Sequence, residues 1–266
     1  MYEFTYARAA TLSDALEALA EDDDAILMAG GQTLVPTLKQ RLAAPSTILD
    51  ISRIDALRGI SVEGDRVRIG AMTRHVEVAG SGDLRAVLPG LCELAGEIGD
   101  PHVRHRGTIG GSIANNDPAA DYPGACLALG ATISTDRRDL PAEEFFTGLF
   151  ETALEPGEIV TAVTFPVPER MAYAKFPNPA SRYALVGVCV ALTADGPRVA
   201  VTGSGQEGVF RWTDAEQALA RFEPGAIDGL EIDPDLLSSD IHAGADYRAG
   251  LIVVMARRAV AAALSR

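Results

Sequence analysis

AILMAGGQTLVPTLKQRLAAPSTILDIS, residues 25–52, holds the order of elements on which the fold turns. AILM is a short apolar run that leads straight into Gly30-Gly31. Residues 34–42 then carry apolar side chains at helical spacing, and TILDIS (47–52) reads as a second buried strand. A strand, a glycine turn, a helix and a strand in this order make a βαβ unit. Upstream, Thr11 takes the N-cap position of a helix with Asp14 in the capping-box place, and Leu12, Ala15, Leu16 and Leu19 follow at helical period. The acidic run EDDD (21–24) ends that helix as a solvated turn.

Downstream, residues 66–70 alternate as a strand, 87–98 have helical periodicity, and 127–134 and 158–165 read as strands. FPVPERMAYAKFPNPAS (165–181) holds four prolines and interrupts the pattern, which places a domain boundary near Pro168. Beyond it, 185–193 and 198–203 pair as strands turning at Asp195-Gly196. Residues 213–222 form a helix capped at Thr213, and 245–264 a long C-terminal helix.

Composition narrows the function classes. A 47% hydrophobic and 23% charged chain of 266 residues is globular and long enough for one large domain or two ordinary ones. No run approaches the length of a bilayer span, and MYEFTYARAA lacks the basic and apolar regions of a signal peptide, so a soluble, cytoplasmic protein is expected. Cys92, Cys126 and Cys189 are far apart and form no CxxC pair, so they read as buried free thiols. Any metal centre serving this protein must then lie on another chain. The net charge of −14 argues against nucleic acid.

A second glycine-rich stretch, GTIGGSIANNDPAAD (107–121), matches the first, AGGQTLVP (29–36): in each, Gly-Gly is followed within two residues by a hydroxyl. Neither has the GxxxxGK[ST] of a nucleoside-triphosphatase loop, and neither has the GxGxxG with a later acidic residue of a Rossmann fold. Both still suit a diphosphate. Adjacent glycines allow close backbone approach and φ > 0, so that successive N–H groups converge on an anion. Thr33, Thr108 and Ser112 add hydroxyl donors. The same pattern also serves tight turns with capping hydroxyls, and spacing alone leaves the two readings level. Asn115, Asn116, Asp117 and Asp121 can accept hydrogen bonds from sugar or ribityl hydroxyls; Asp117-Pro118 equally suits a self-capped helix start.

With these two stretches the sequence resembles the FAD-binding medium subunit of the xanthine dehydrogenase and aerobic carbon monoxide dehydrogenase family of molybdenum hydroxylases. GAMTRHVEVA (70–79), LEPGEIVTAVTFP (154–166), YAKFPNPASRYALVGV (173–188) and DIHAGADYRAGLIVVMARRAV (240–260) fit that subunit in order, so the resemblance spans nearly the whole chain. It implies an α+β architecture. Residues 1–168 would be an FAD-binding domain of the vanillyl-alcohol oxidase (PCMH) type with two α/β subdomains, about 1–55 and 56–168. Residues 169–266 would be a small C-terminal α+β domain with an antiparallel sheet and helices.

By position, Ala29, Gly30, Gly31, Gln32, Thr33 and Leu34, with Thr108, Ile109, Gly110, Gly111 and Ser112, would hold the pyrophosphate of a non-covalently bound FAD. Asn115 and Asp121 would lie along its ribityl or ribose side. Val160 and Lys175 match places that line the flavin, and Tyr183 matches a tyrosine set against the isoalloxazine; as a plain sequence feature Tyr183 is also an ordinary half-buried strand aromatic. The chain departs from the carbon monoxide dehydrogenase pattern AGGHS, with Gln32 for His and Thr33 for Ser, and His105 stands where an asparagine is usual. HVRHR (102–106) is thereby locally basic, suited to a flavin phosphate, a partner subunit or plain solvent.

The resemblance further implies an electron-transfer subunit that takes electrons from iron–sulfur clusters and passes them to an external acceptor. An iron–sulfur small subunit and a molybdopterin large subunit would be its partners, in a dimer of heterotrimers. It implies a cytoplasmic location, peripheral to the inner membrane through the complex. The sequence has no readable acid–base or nucleophile constellation, which suits a flavin relay. A self-contained flavin oxidase of the vanillyl-alcohol oxidase type and a non-redox scaffold remain the alternatives.

Overall fold

The computed structural model describes residues 1–223 and 225–265; residues 224 and 266, which the expected C-terminal domain includes, lie outside the described residues. The chain opens with a three-stranded parallel sheet in which Thr47–Asp50 lies between Thr5–Arg8 and Ile26–Met28. The helix Leu34–Lys39 connects Ile26–Met28 to Thr47–Asp50, giving the βαβ unit read from residues 25–52. Thr11 caps the helix Leu12–Glu21: its hydroxyl accepts from the Asp14 N–H at 3.1 Å, and the Asp14 carboxylate accepts from the Thr11 N–H at 3.0 Å. The apolar face of this unit packs Ala15, Leu49, Ile51 and Ile54 with Met72 and Ile159, which flank strands of the next sheet, so the two share one core.

That next sheet has five antiparallel strands, in the order Ile60–Glu63, Arg66–Gly70, Val160–Pro166, Thr132–Thr135, Asp139–Pro141. Two expectations are corrected here. The strand read over 127–134 is the end of a helix, Tyr122–Leu129, followed by the short strand Thr132–Thr135. All eight residues of that helix are buried, so it has no polar face to mark a helical period, and Gly130 stops it at φ +62°. The helix read over 87–98 is two helices, Gly82–Val87 and Pro89–Gly96, because Pro89 starts a new one at its first position.

The segment 167–169 leads into a four-stranded antiparallel sheet, Arg170–Pro177, Ala184–Thr193, Gly196–Thr202 and Phe210–Arg211 in order. The proline-rich stretch that was expected to break the pattern therefore contains a strand. Its prolines are tolerated because Arg170–Pro177 is an edge strand and Pro177 sits at its last position, beside a register shift. The hairpin turning at Asp195 forms as expected, with Thr193 paired to Gly196. The helix expected over 213–222 is Thr213–Ala218 with Trp212 at the N-cap, followed by a 3-10 turn over Leu219–Arg221.

Ala184–Thr193 is buried on both faces along most of its length. Cys189 and Ala191 point into the core that Val67, Leu91, Tyr122 and Leu127 also fill. Val186, Val188 and Val190 point the other way, against Ile252, Met255 and Ala259 of the helix Ala245–Leu264. Period-two alternation thus gives one strand two cores, which explains its near-continuous apolar sequence. The three cysteines are buried free thiols within this arrangement.

Arg248, 2% exposed, ties the long helix to the sheet. Its Nη1 donates to the Leu185 carbonyl at 2.7 Å and to the Gly203 carbonyl at 2.6 Å, and Nη2 pairs with Asp240 at 2.8 Å. Arg248→Met keeps the aliphatic stem but leaves these acceptors without a buried donor. It is expected to lower unfolding free energy by about 3 kcal/mol, read from urea denaturation of the full chain.

Candidate functional site

A cleft of about 680 Å³ runs between the parallel sheet, the five-stranded sheet and the loop that precedes Ala184–Thr193. That volume lies within the usual range for cofactor sites, roughly 300–1,000 Å³. All the expected site residues line it except Ile109 and Lys175.

The two glycine stretches meet on its floor, backbone to backbone. A Cβ on Gly30 would stand 2.3 Å from the Arg106 carbonyl oxygen and 2.8 Å from the Gly107 Cα, so only glycine permits this contact. Gly31 has φ +73°, which turns the chain out of Ile26–Met28 and into the helix Leu34–Lys39. Val35 N–H closes the first helical bond onto the Gly31 carbonyl at 3.0 Å. The N–H groups of Gly31, Gln32, Thr33 and Leu34 donate to no acceptor among the described residues. They form a row of four open donors at the cleft.

The second stretch is built differently, and the expectation of a left-handed nest there is corrected. Ile109–Asn115 is a helix, Thr108 is its N-cap, and neither Gly110 nor Gly111 has a positive φ. Its first N–H groups already have partners: Ile109 donates to the Thr73 carbonyl at 3.1 Å, and Gly110 to that of Ala71 at 2.8 Å. Gly111 donates to Thr108 Oγ1 at 3.1 Å. Gly110 is needed because a Cβ there would lie 2.5 Å from the Ala71 side chain and 2.7 Å from its carbonyl oxygen. At Gly111 a Cβ would stand 3.0 Å from Thr108 Oγ1 and 3.6 Å from the Ala29 side chain, which brings the two stretches into contact. What this stretch offers a ligand is a close, small surface with the Thr108 and Ser112 hydroxyls, while Ile109 is fully buried in the core behind it.

At the other end, Asp121 is 4% exposed and carries three bonds to side chains. Tyr173 Oη donates to it at 2.5 Å, and Lys175 Nζ approaches its two oxygens at 2.9 and 3.0 Å. Lys175 also donates to the Glu97 carbonyl at 3.2 Å. Burial pushes the Asp121 carboxyl up, with Lys175 and Tyr173 opposing that shift. Lys175 therefore stands behind the cleft wall and acts on the cleft through Asp121. Asp117 self-caps, its carboxylate accepting from the Ala119 N–H at 2.9 Å, within a turn and not at a helix start.

Tyr183 is 46% exposed, at the rim, on a loop that Asn178 organises. The Asn178 side chain accepts from the Ala180 N–H at 2.9 Å, and the Asn178 backbone N–H donates to the Tyr183 carbonyl at 2.7 Å. Ser181 and Arg182 line the cleft beside Tyr183, and Arg182 has φ +63°. Sequence reading passed over these two, as it did His75 and Glu158, although GAMTRH and LEPGE contain the latter pair.

Glu158 fixes the wall that holds Val160. Its enclosed carboxylate accepts from Arg138 Nε and Nη2, both at 2.9 Å, from Thr135 Oγ1 at 2.8 Å and from the Glu155 N–H at 2.8 Å. The Arg138 guanidinium holds its pKa down to about 2.

Residues 2–168 match the family described as the FAD binding domain in molybdopterin dehydrogenase. The chain is 36% identical over 282 residues to the carbon monoxide dehydrogenase medium chain of Afipia carboxidovorans, covering 99% of this chain and 97% of that one. It belongs to the FAD-binding medium subunits of the molybdenum hydroxylases. Its identity to the nicotine 6-hydroxylase medium subunit of Paenarthrobacter nicotinovorans is 34% over 284 residues, with 98% and 97% covered. The crystal structure of cyanide-inactivated Cu,Mo-CO dehydrogenase superposes with a TM-score of 0.91 at 33% identity, covering 100% of this chain and 99% of that one.

As a medium subunit of this family the chain is an oxidoreductase component with the α+β fold of the FAD-binding type. Its relatives are subunits of multi-subunit complexes. Among the described residues no helix is long and apolar enough to cross a membrane. The cleft fits an FAD: it has the volume, and it answers a diphosphate with four open N–H donors in place of a lysine.

Gly30→Ala forces two backbones apart and is expected to cost about 1–3 kcal/mol in melting experiments, with most FAD affinity lost and the far-ultraviolet circular dichroism retained. A second test uses pH. The Glu158 carboxyl lies at about 2 in the folded chain against 4.5 for the free group, so its contribution is whole above pH 4.5 and disappears as pH falls toward 2. Glu158→Gln should therefore melt lower than wild type at pH 6, with the gap between the two melting temperatures closing between pH 4.5 and 2.

Proposed function

We propose that this chain is the electron-transfer subunit of a molybdenum hydroxylase complex. In this reading it takes electrons from iron–sulfur clusters of a small partner subunit, and these come in turn from the molybdopterin centre of a large one. It then delivers them to an external acceptor. The observation that carries the cofactor placement is the meeting of the two glycine stretches on the floor of one FAD-sized cleft, with Gly31–Leu34 presenting unpaired N–H groups to it.

FAD, when bound, supplies the capacity to accept electrons singly and release them in pairs. The chain's own residues do the holding. Gly31, Gln32, Thr33 and Leu34 receive the pyrophosphate through their N–H groups. Ala29, Gly30, Gly110 and Gly111 keep the floor low enough for it, and Thr108 and Ser112 add hydroxyls. Ile109 anchors that segment in the core. Asn115 and Asp121 border the ribityl and ribose hydroxyls, Val160 lines the flavin, and Tyr183 covers it. Lys175 pairs with Asp121 and holds its carboxyl in place.

Residues 1–168 form the FAD-binding domain, with subdomains at about 1–55 and 56–168, and residues 169–266 form the covering domain. The complex, a dimer of heterotrimers, works in the cytoplasm and meets the inner membrane only peripherally.

The purified full chain, incubated with FAD and desalted, should keep one flavin per chain by its visible absorption. That flavin should be reduced by the iron–sulfur and molybdopterin subunits together with their substrate. No retained flavin would overturn the placement. Reduction by a substrate with the chain alone would favour a self-contained oxidase.

A further inference from the structure

His75 begins the helix His75–Gly80, and its ring lines the cleft where the second glycine stretch starts. It is held from three sides. Its N–H donates to the Gly107 carbonyl at 3.0 Å, its ring lies 5.4 Å from that of Tyr122, and its Nε2 edge rests on Gly107. A Cβ at Gly107 would be 2.5 Å from that nitrogen, so the glycine makes room for the imidazole. The residue is only 4% exposed, yet neither ring nitrogen has a hydrogen-bond partner among the described residues, and Nδ1 is fully enclosed.

Burial, with Arg104 nearby, lowers the His75 pKa to about 4, which leaves the ring neutral near pH 7. A neutral imidazole carries one N–H and one lone pair. Orphaned buried N–H groups are rarer than under-satisfied acceptors, so the sealed Nδ1 takes the lone pair and the proton sits on Nε2, at the cleft. A donor in that position needs an acceptor from the cleft's contents.

We propose that His75 is a further ligand-binding residue of this cleft, its Nε2–H donating to an oxygen of the bound dinucleotide. The inference rests on the FAD reading above and adds a donor to it, on the far side of the glycine contact from Gly31–Leu34.

The test is FAD titration of the full chain stripped of flavin, followed by flavin fluorescence, for wild type, His75→Phe and His75→Gln. His75→Phe fills the same space without a donor and should weaken FAD about tenfold while the flavin-free melting temperature holds or rises. His75→Gln restores a donor and should recover part of the loss. In 15N-histidine spectra, FAD should shift the His75 Nε2 signal, a response that a packing role would not give. Titration with FMN and with ADP separates the sources of the oxygen: a loss carried over to FMN places it on the flavin half, and one carried over to ADP on the nucleotide half. FAD affinity of His75→Phe within twofold of wild type, or an unmoved His75 signal on saturation, would overturn the proposal and leave the FAD reading intact. Failure of the wild type to bind FAD would instead bring down that reading and this one with it.

Discussion

The contact of Gly30 with the Arg106–Gly107 backbone is the constraint on which the cleft depends. It joins an α/β unit built around a parallel sheet to a second unit built around an antiparallel one, at a point where no side chain fits. Everything that faces the cleft is placed relative to that touch. Gly31 turns away from it toward the open N–H row, Thr108 starts a helix just past it, and His75 rests against Gly107. Shared burial of Met72 and Ile159 with Leu49 and Ile54 keeps the two units from sliding past one another.

The two glycine stretches look alike in sequence and do different physical work. In the first, one left-handed glycine leaves the following donors open. In the second, the donors are consumed by Thr73, Ala71 and Thr108, and the glycines serve packing. A motif of two glycines and a hydroxyl thus specifies closeness of backbone. Whether it also specifies free donors depends on which neighbour comes near.

Local chemistry was legible where its cause is local. The Thr11–Asp14 capping box, the βαβ unit over residues 25–52, the hairpin at Asp195 and the helix Ala245–Leu264 were readable from a few adjacent residues. Tyr122–Leu129 was not, because burial on all sides erases the helical period. Arg170–Pro177 was hidden by prolines that an edge strand accepts at its end. At the site, resemblance supplied residue positions that spacing alone did not. The pairing of Lys175 with Asp121, the free nitrogens of His75 and the role of Gly110 all depend on residues distant in sequence, and only the fold brings those together.

The open N–H row also fixes how the cleft should respond to ionic strength. A diphosphate nearing a chain of net charge −14 meets repulsion at long range and neutral dipoles at short range. Added salt screens the first over a Debye length of about 10 Å at 0.1 M and barely touches the second. A lysine-bearing phosphate loop loses affinity as salt rises; a diphosphate held by this row, as proposed, would gain it, and would be held better in the concentrated electrolyte of a cell than in dilute buffer.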